Sequence, residues 1–192
     1  MRETISRITA TAVLILGLAG LPAQGSQQIC AVAFDDGEGI VIIAAPQGWE
    51  FDRKSPRAPD VHALIYPGGA PRTETTTSMY VKTVPKKGYA SLADLVSKEV
   101  EDRKAALPGL KVVTGDPVTT VRDHQQAQVR HFSSAKAGSF ESAAYLEGNG
   151  VYVVIVLSAK SEAAQEEAQR AFLESVQSFH GSTLRGGIYR PK

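Results

Sequence analysis

Between residues 40 and 180 the apolar positions change period several times, and each change marks an element. Residues 40–45, IVIIAA, are a continuous apolar run rich in β-branched side chains, which predicts a buried strand. The PQGW that follows predicts a turn. Residues 52–60, DRKSPRAPD, are polar and carry two prolines, so a loop is expected there. VHALIYP (61–67) is strand-like and stops at Pro67, and GGAPRTE (68–74) reads as a second flexible loop. In TTTSMYVKTV (75–84), Thr77, Met79, Val81 and Thr83 alternate with Ser78, Tyr80 and Lys82, the two-residue period of a strand.

The period then lengthens. Ser91 is placed to N-cap a helix, with Asp94 three residues on as the return arm of a capping box. Leu92, Leu95, Val96 and Val100 recur on one helical face. Asp94–Lys98 and Glu99–Arg103 are acid-to-base i,i+4 pairs expected on the solvent side. LPGL (107–110) ends the helix.

A meander is expected next: PVTTVRD, QAQVRHF, SFESAAYL and VYVVIVLS, turned at His124–Gln125, at SSAKAG and at EGNG. In the last turn Gly148, Asn149 and Gly150 suit positive φ. Val151 to Leu157 is apolar on both faces, which predicts a central strand covered on both sides. A second helix follows, capped by Ser158 or Ser161, with Ala164, Ala168, Phe172, Val176 and Phe179 along one face. GSTLRGGIYRPK is expected to fray. The order is three strands, a helix, three strands and a helix, with a further short strand at KVV (111–113). This predicts an α+β domain, a central antiparallel sheet of about six to seven strands with helices packed on it. No internal repeat is visible.

The N-terminus reads as a processing segment. Arg2 and Arg7 precede an apolar run from Ile8 to Leu21, and Ala23 and Gly25 set small residues before a cut at Ser26, the layout of a secretory signal. That run has 14 residues, short of the roughly 20 that span a bilayer. An uncleaved anchor is the alternative reading. The organisation expected is a signal peptide at 1–25, an arm at 26–38, one domain at 39–180 and a flexible tail at 181–192, with the mature protein exported to a periplasm or secreted. Removing Arg2, Arg7 and Glu3 with the signal brings the formal charge of +1 to about zero. No basic surplus points to nucleic acid or an anionic membrane.

Cys30 is the only cysteine, so no internal disulfide can brace the fold. It follows Ile29, where a lipid-attachment motif wants a small residue, and no basic neighbour activates it as a nucleophile. A free thiol, an intermolecular link and a place in a mobile arm remain open.

Trp49 is the only tryptophan, at the end of the first apolar run. It is either an aromatic wall of a pocket, with Tyr66 and Tyr80 as neighbours, or a plug where that strand turns. Of the histidines, His62, His124, His131 and His180, only His131 is expected on a buried face, with Val118, Ala127 and Val129. It is a candidate ligand contact or base, or a hydrogen-bonded core residue. His124 is expected in a solvated turn and His180 in the last turn of a helix. No H-x-E or H-x-x-x-H spacing suggests a metal. DDGEG (35–39) lacks the spacing of a calcium loop, and YPGGAP lacks the lysine and helix of a phosphate loop. No metal and no cofactor are expected.

Several segments in their order carry a family resemblance: P-x-G-W at Pro46–Trp49, a helix opening SLADL, LPGLKVV, the meander, VIVLSA, and a last helix ending FLESVQSF. Together they resemble the PsbP/DcrB-like superfamily across most of residues 40–180. The resemblance implies an α/β/α sandwich around a central antiparallel sheet and a mostly non-enzymatic family. Its members include photosystem accessory proteins, a small-GTPase-binding import factor and secreted bacterial proteins. It brings no catalytic residues. The function expected is a non-enzymatic accessory domain that binds a protein partner through a sheet edge or helix face. The alternatives are an apolar-ligand carrier with a pocket lined by Trp49, Tyr80 and His131, and a hydrolase.

Overall fold

The computed structural model describes residues 29–33, 39–52, 58, 60–69 and 71–183. In chain order the elements are β1 (Ile29–Ala33), β2 (Gly39–Ala44), β3 (Trp49–Phe51), β4 (Val61–Pro67), a 3-10 turn (Arg72–Glu74), β5 (Thr77–Pro85) and α1 (Leu92–Ala106). They continue with β6 (Lys111–Thr114), β7 (Val118–Thr119), β8 (Gln126–Ser134), β9 (Ser139–Glu147), β10 (Val151–Ala159), α2 (Glu162–Ser178) and β11 (His180–Thr183).

The meander builds an eight-stranded antiparallel sheet in the order β3-β4-β5-β10-β9-β8-β6, with β7 also paired to β8. The strand expected to be central is central: β10 lies between β5 and β9. Its alternate residues enter two different cores. Val153, Ile155 and Leu157 face α2, and Tyr152, Val154 and Val156 face α1. That is why Val151–Leu157 shows no polar alternation. The fold is α+β with one helix on each face of the sheet, as the resemblance implied.

On the α2 face, Ala168, Phe172 and Val176 meet Met79, Val129, Leu146 and Ile155 from the sheet and Val41 and Ile43 from β2. Phe172 and Phe179 are fully buried; each contributes about 1.5–3 kcal/mol by leaving water. Ser161 is the N-cap, accepting from the Ala164 amide, while Ser158 belongs to β10. At the other end of α2, Ser178 Oγ accepts the Ala44 amide and the Ser175 hydroxyl donates to the Ala44 carbonyl, pinning the end of β2.

On the α1 face, Leu92, Leu95 and Val96 pack on Ala143, Tyr145, Val154 and Val156. The forward arm of the capping box forms, Ser91 Oγ accepting from the Asp94 amide, while the Asp94 carboxylate accepts from Ala90, one residue before the cap. The expected Asp94–Lys98 pair does not form, since the Asp94 carboxylate is used by the Ala90 amide and Lys98 lies over the Tyr89 ring. Glu99–Arg103 forms, but it faces the sheet and not solvent.

A second sheet of three strands, β1-β2-β11, lies on the α2 side. It revises both ends of the expected domain. Ile29–Ala33, expected in an arm, pairs with β2 and sets Cys30 opposite Ile43. His180–Thr183, expected in a helix end and a fraying tail, pairs with the other side of β2. Residues 1–25, the loop core at 53–57 and the tail beyond 183 lie outside the described residues. Gly48, at φ +79, makes the PQGW turn, as expected, but Trp49–Phe51 continues as a strand. In the β9–β10 turn only Gly150 takes positive φ.

Candidate functional site

The four residues singled out as pocket candidates do not converge. Trp49 sits on the short edge strand β3, partly buried against the α2-side core with Phe51. Its ring plugs the end of the sheet. Tyr80 is on the opposite face, among Leu95, Val96 and Val156. Tyr66 is half-buried on β4, opposite Glu50, and the pairing of Leu64 with Tyr80 puts it on the Tyr80 face. His131 shares the α2 face with Ala127 and Val129, as its alternation predicted, but sits at the other side of the sheet, on β8. Trp49, Tyr80 and His131 therefore line no common cavity. The sheet itself separates Tyr80 from the other two.

His131 belongs to a small polar network under α2. Its Nδ1 lies 2.9 Å from Ser142 Oγ. The Ser142 hydroxyl donates to Gln169 Oε1 at 3.1 Å and accepts from Gln165 Nε2 at 3.0 Å. With its one proton given to Gln169, Ser142 accepts from His131, which places the imidazole proton on Nδ1. Nε2 then faces the backbone of Gly115, where any Cβ would stand 2.6 Å away. Burial lowers the His131 pKa below 6.5, holding the ring neutral. Ser142 is fully buried, and among the described residues no carboxylate orients the ring. A serine–histidine contact is present, but its hydroxyl is shut away from substrate and its base has no acid behind it.

The α1 side holds a charged cluster. Arg103 donates to Glu99 and to Glu141, and Lys82 reaches the same Glu99 oxygen at 3.1 Å. Glu99 is only 12% exposed. Burial alone would lower the Arg103 pKa, but the hydrogen bond and charge of Glu141, with Glu99, more than offset it and hold the guanidinium firmly charged. The guanidinium also lies 4.4 Å from the centre of the Phe132 ring. Beside it, burial and the Glu141 charge push the Tyr80 phenol up to about 12. The Tyr145 phenol is raised too, chiefly by burial, and its buried hydroxyl has no hydrogen-bond partner among the described residues. The sequence did carry a signal for this cluster. Glu99 and Arg103 continue the Leu92–Leu95/Val96 spacing of the inward face, and reading them as an exposed pair missed it.

The remaining histidines are peripheral. His62 marks an irregularity in the β4–β5 register and contacts Thr83 Oγ1 at 2.7 Å. His124 sits exposed in the turn, at φ 51. His180 begins β11 and pairs with Asp123, which also accepts the Gly181 amide. Together with the Val121 amide on the Gln177 carbonyl, this ties the β7–β8 turn to the end of α2. Among the described residues no three His, Cys, Asp or Glu side chains gather as metal ligands.

The open feature is the outer edge of β6, the last strand of the large sheet. The Gly115 amide donates to the Val129 carbonyl, so in the antiparallel ladder Lys111 and Val113 bond inward to β8. The backbone groups of Val112 and Thr114 then point away from the sheet. Val113 is 61% exposed. The opposite edge, β3, has only three residues.

Solved structures share this fold at low identity. Cyanobacterial PsbP (CyanoP) from Synechocystis sp. PCC 6803 aligns with a TM-score of 0.54 at 16% identity, covering 86% of this chain and 98% of that one. The Ran-binding protein Mog1p of Saccharomyces cerevisiae gives 0.50 at 17%, over 81% and 96%. LpqN of Mycobacterium tuberculosis, described as involved in cell envelope biogenesis, gives 0.50 at 16%, over 83% and 92%. No protein-family model and no curated protein matches the chain. The shared property is the PsbP/Mog1-like fold, in agreement with the resemblance read from the sequence.

Proposed function

We propose that this chain is an exported, non-enzymatic accessory domain that binds a protein partner by taking an extended segment along the outer edge of β6. The carrying observation is the edge itself: outward backbone groups at Val112 and Thr114, beside an exposed Val113. Such an edge is a template for one more strand. Its protections are modest, a length of four residues and one lysine, Lys111. The similar fold of a protein named for binding Ran supports protein recognition as a use of this scaffold. The buried serine and unoriented histidine supply no nucleophile to a hydrolase, and the separation of Tyr80 from Trp49 removes the common wall of an apolar carrier. Export rests on the layout of residues 1–25; an N-terminus at Ser26 in the protein recovered from its native compartment is the expected result.

The test uses a photo-crosslinking side chain in place of Val113, and another in place of Glu166 on the exposed side of α2. Adducts are expected from the first position. Thr114→Pro deletes an outward amide without touching the β8 ladder and is expected to abolish them. Adducts from α2 alone, or adducts at position 113 that survive Thr114→Pro, would sink the edge reading.

A further inference from the structure

We infer a second site, at one end of the large sheet and separate from the outward groups of Val112 and Thr114, that binds a small ligand through an oxyanion group such as phosphate or sulfate. Three central strands meet there. β5 begins, β10 ends and β9 begins within one row of the ladder, Thr77 opposite Ala159 opposite Phe140. The next row is Ser78, Ser158 and Glu141. The β8–β9 turn reaches over these strand ends through Gly138. Between them is a solvent-open depression of about 300 Å³, a size at the lower end of small-molecule sites.

Its wall has an unusual composition. Every polar side chain in it is a hydroxyl, from Thr75 to Ser78 and from Ser139 and Ser158, or the ammonium of Lys160. There is no carboxylate, imidazole or thiolate, so the wall does not suit a metal ion. There is no aromatic ring to stack a sugar or a base. Strand alternation puts Ser78, Ser139 and Ser158 together on the α1 face and Thr77 on the other. The three serine hydroxyls can turn to donate toward one negative centre, and lysine is a point charge suited to phosphate. The Lys160 amide is held by the Thr76 carbonyl, which fixes its backbone against the start of β5. Among the described residues the Lys160 ammonium enters no ion pair, and Glu141 in the adjoining row is committed to Arg103. The charge left facing the depression is positive. Two exposed carboxylates flank the lining in sequence, Glu74 before Thr75 and Glu162 at the start of α2, two residues after Lys160. Their charge opposes an anion, which makes the site testable in both directions.

The experiment is an NMR titration of isotope-labelled mature protein with inorganic phosphate at constant ionic strength, with chloride as the control. Saturable shifts are expected at Thr76–Ser78, Gly138–Ser139 and Ser158–Lys160. Lys160→Gln is expected to weaken binding at least fivefold, and Glu162→Gln to tighten it about twofold, both with unchanged thermal unfolding. Co-sedimentation with phosphatidylglycerol vesicles but not phosphatidylcholine vesicles, lost in Lys160→Gln, would assign the group to a lipid headgroup. Phosphate binding without vesicle binding would assign it to a free solute. Shifts that do not saturate, that centre on Lys86 and Lys87, or that are unchanged by Lys160→Gln would overturn the site.

Discussion

The two faces of the large sheet carry helices of similar length held in different ways. α2 is locked by apolar contact from Ala168 to Phe179, with its end pinned to β2 and to the β7–β8 turn. α1 buries Leu92, Leu95 and Val96 in its first turns, with Val100 packed only partly behind them, and its inward face then continues as charge, Glu99 and Arg103 against Lys82 and Glu141. Apolar burial answers weakly to salt and pH, whereas half-buried charges answer to both. The contrast makes α2 the fixed side of the domain and α1 the side that conditions can loosen.

The largest expected effect is on the fixed side. Phe172→Ala should cost about 3–5 kcal/mol of stability in urea unfolding, from lost transfer energy and the cavity left behind. On the other face, Arg103→Met should cost about 1–3 kcal/mol, because it leaves Glu99 and Glu141 facing each other half-buried. Adding Glu99→Gln and Glu141→Gln should recover part of that loss. A larger cost for Arg103→Met than for Phe172→Ala would reverse the comparison. Ser91→Ala should remove about 1 kcal/mol through the α1 cap. Hydrogen exchange should show the α1 amides losing protection before those of α2.

The smallest effects are titrations, one for each face. His131 is depressed below 6.5 by burial. The unfolded chain therefore binds that proton more tightly. The stability it contributes is whole above pH 6.5 and is lost as pH falls through the lowered native value. His131→Gln should flatten that acid limb. Tyr80 is raised from 10.0 to about 12. Its contribution is whole below pH 10 and is lost as pH rises through about 12. A late phenolate step in ultraviolet absorbance that disappears in Tyr80→Phe checks the value; a Tyr80 titrating near 10 would mean that the α1 face is open to water.

The sequence made the α2 face legible and half of the α1 face. Phe172, Val176 and the doubly apolar Val151–Leu157 announce themselves because burial and period agree. The paired short strands did not. Trp49–Phe51 is too short for alternation to show, and β11 owes its form to β2, a partner distant in sequence. Glu99 and Arg103 were read as exposed because their charge outweighed their spacing. The outer edge of β6 was visible only as KVV. Its place at the end of the sheet depends on the order of all the other strands.

The small sheet has a consequence for timing. β2 needs β11, and that contact closes a loop spanning almost the whole domain. Loop closure over such a length is slow to search and gives no return until the last residues are free. A chain emerging N-terminus first therefore holds Val41 and Ile43 uncovered until α2 and β11 arrive. The β1–β2 pairing is local, so the docking of β11 on the other side of β2 is the late step.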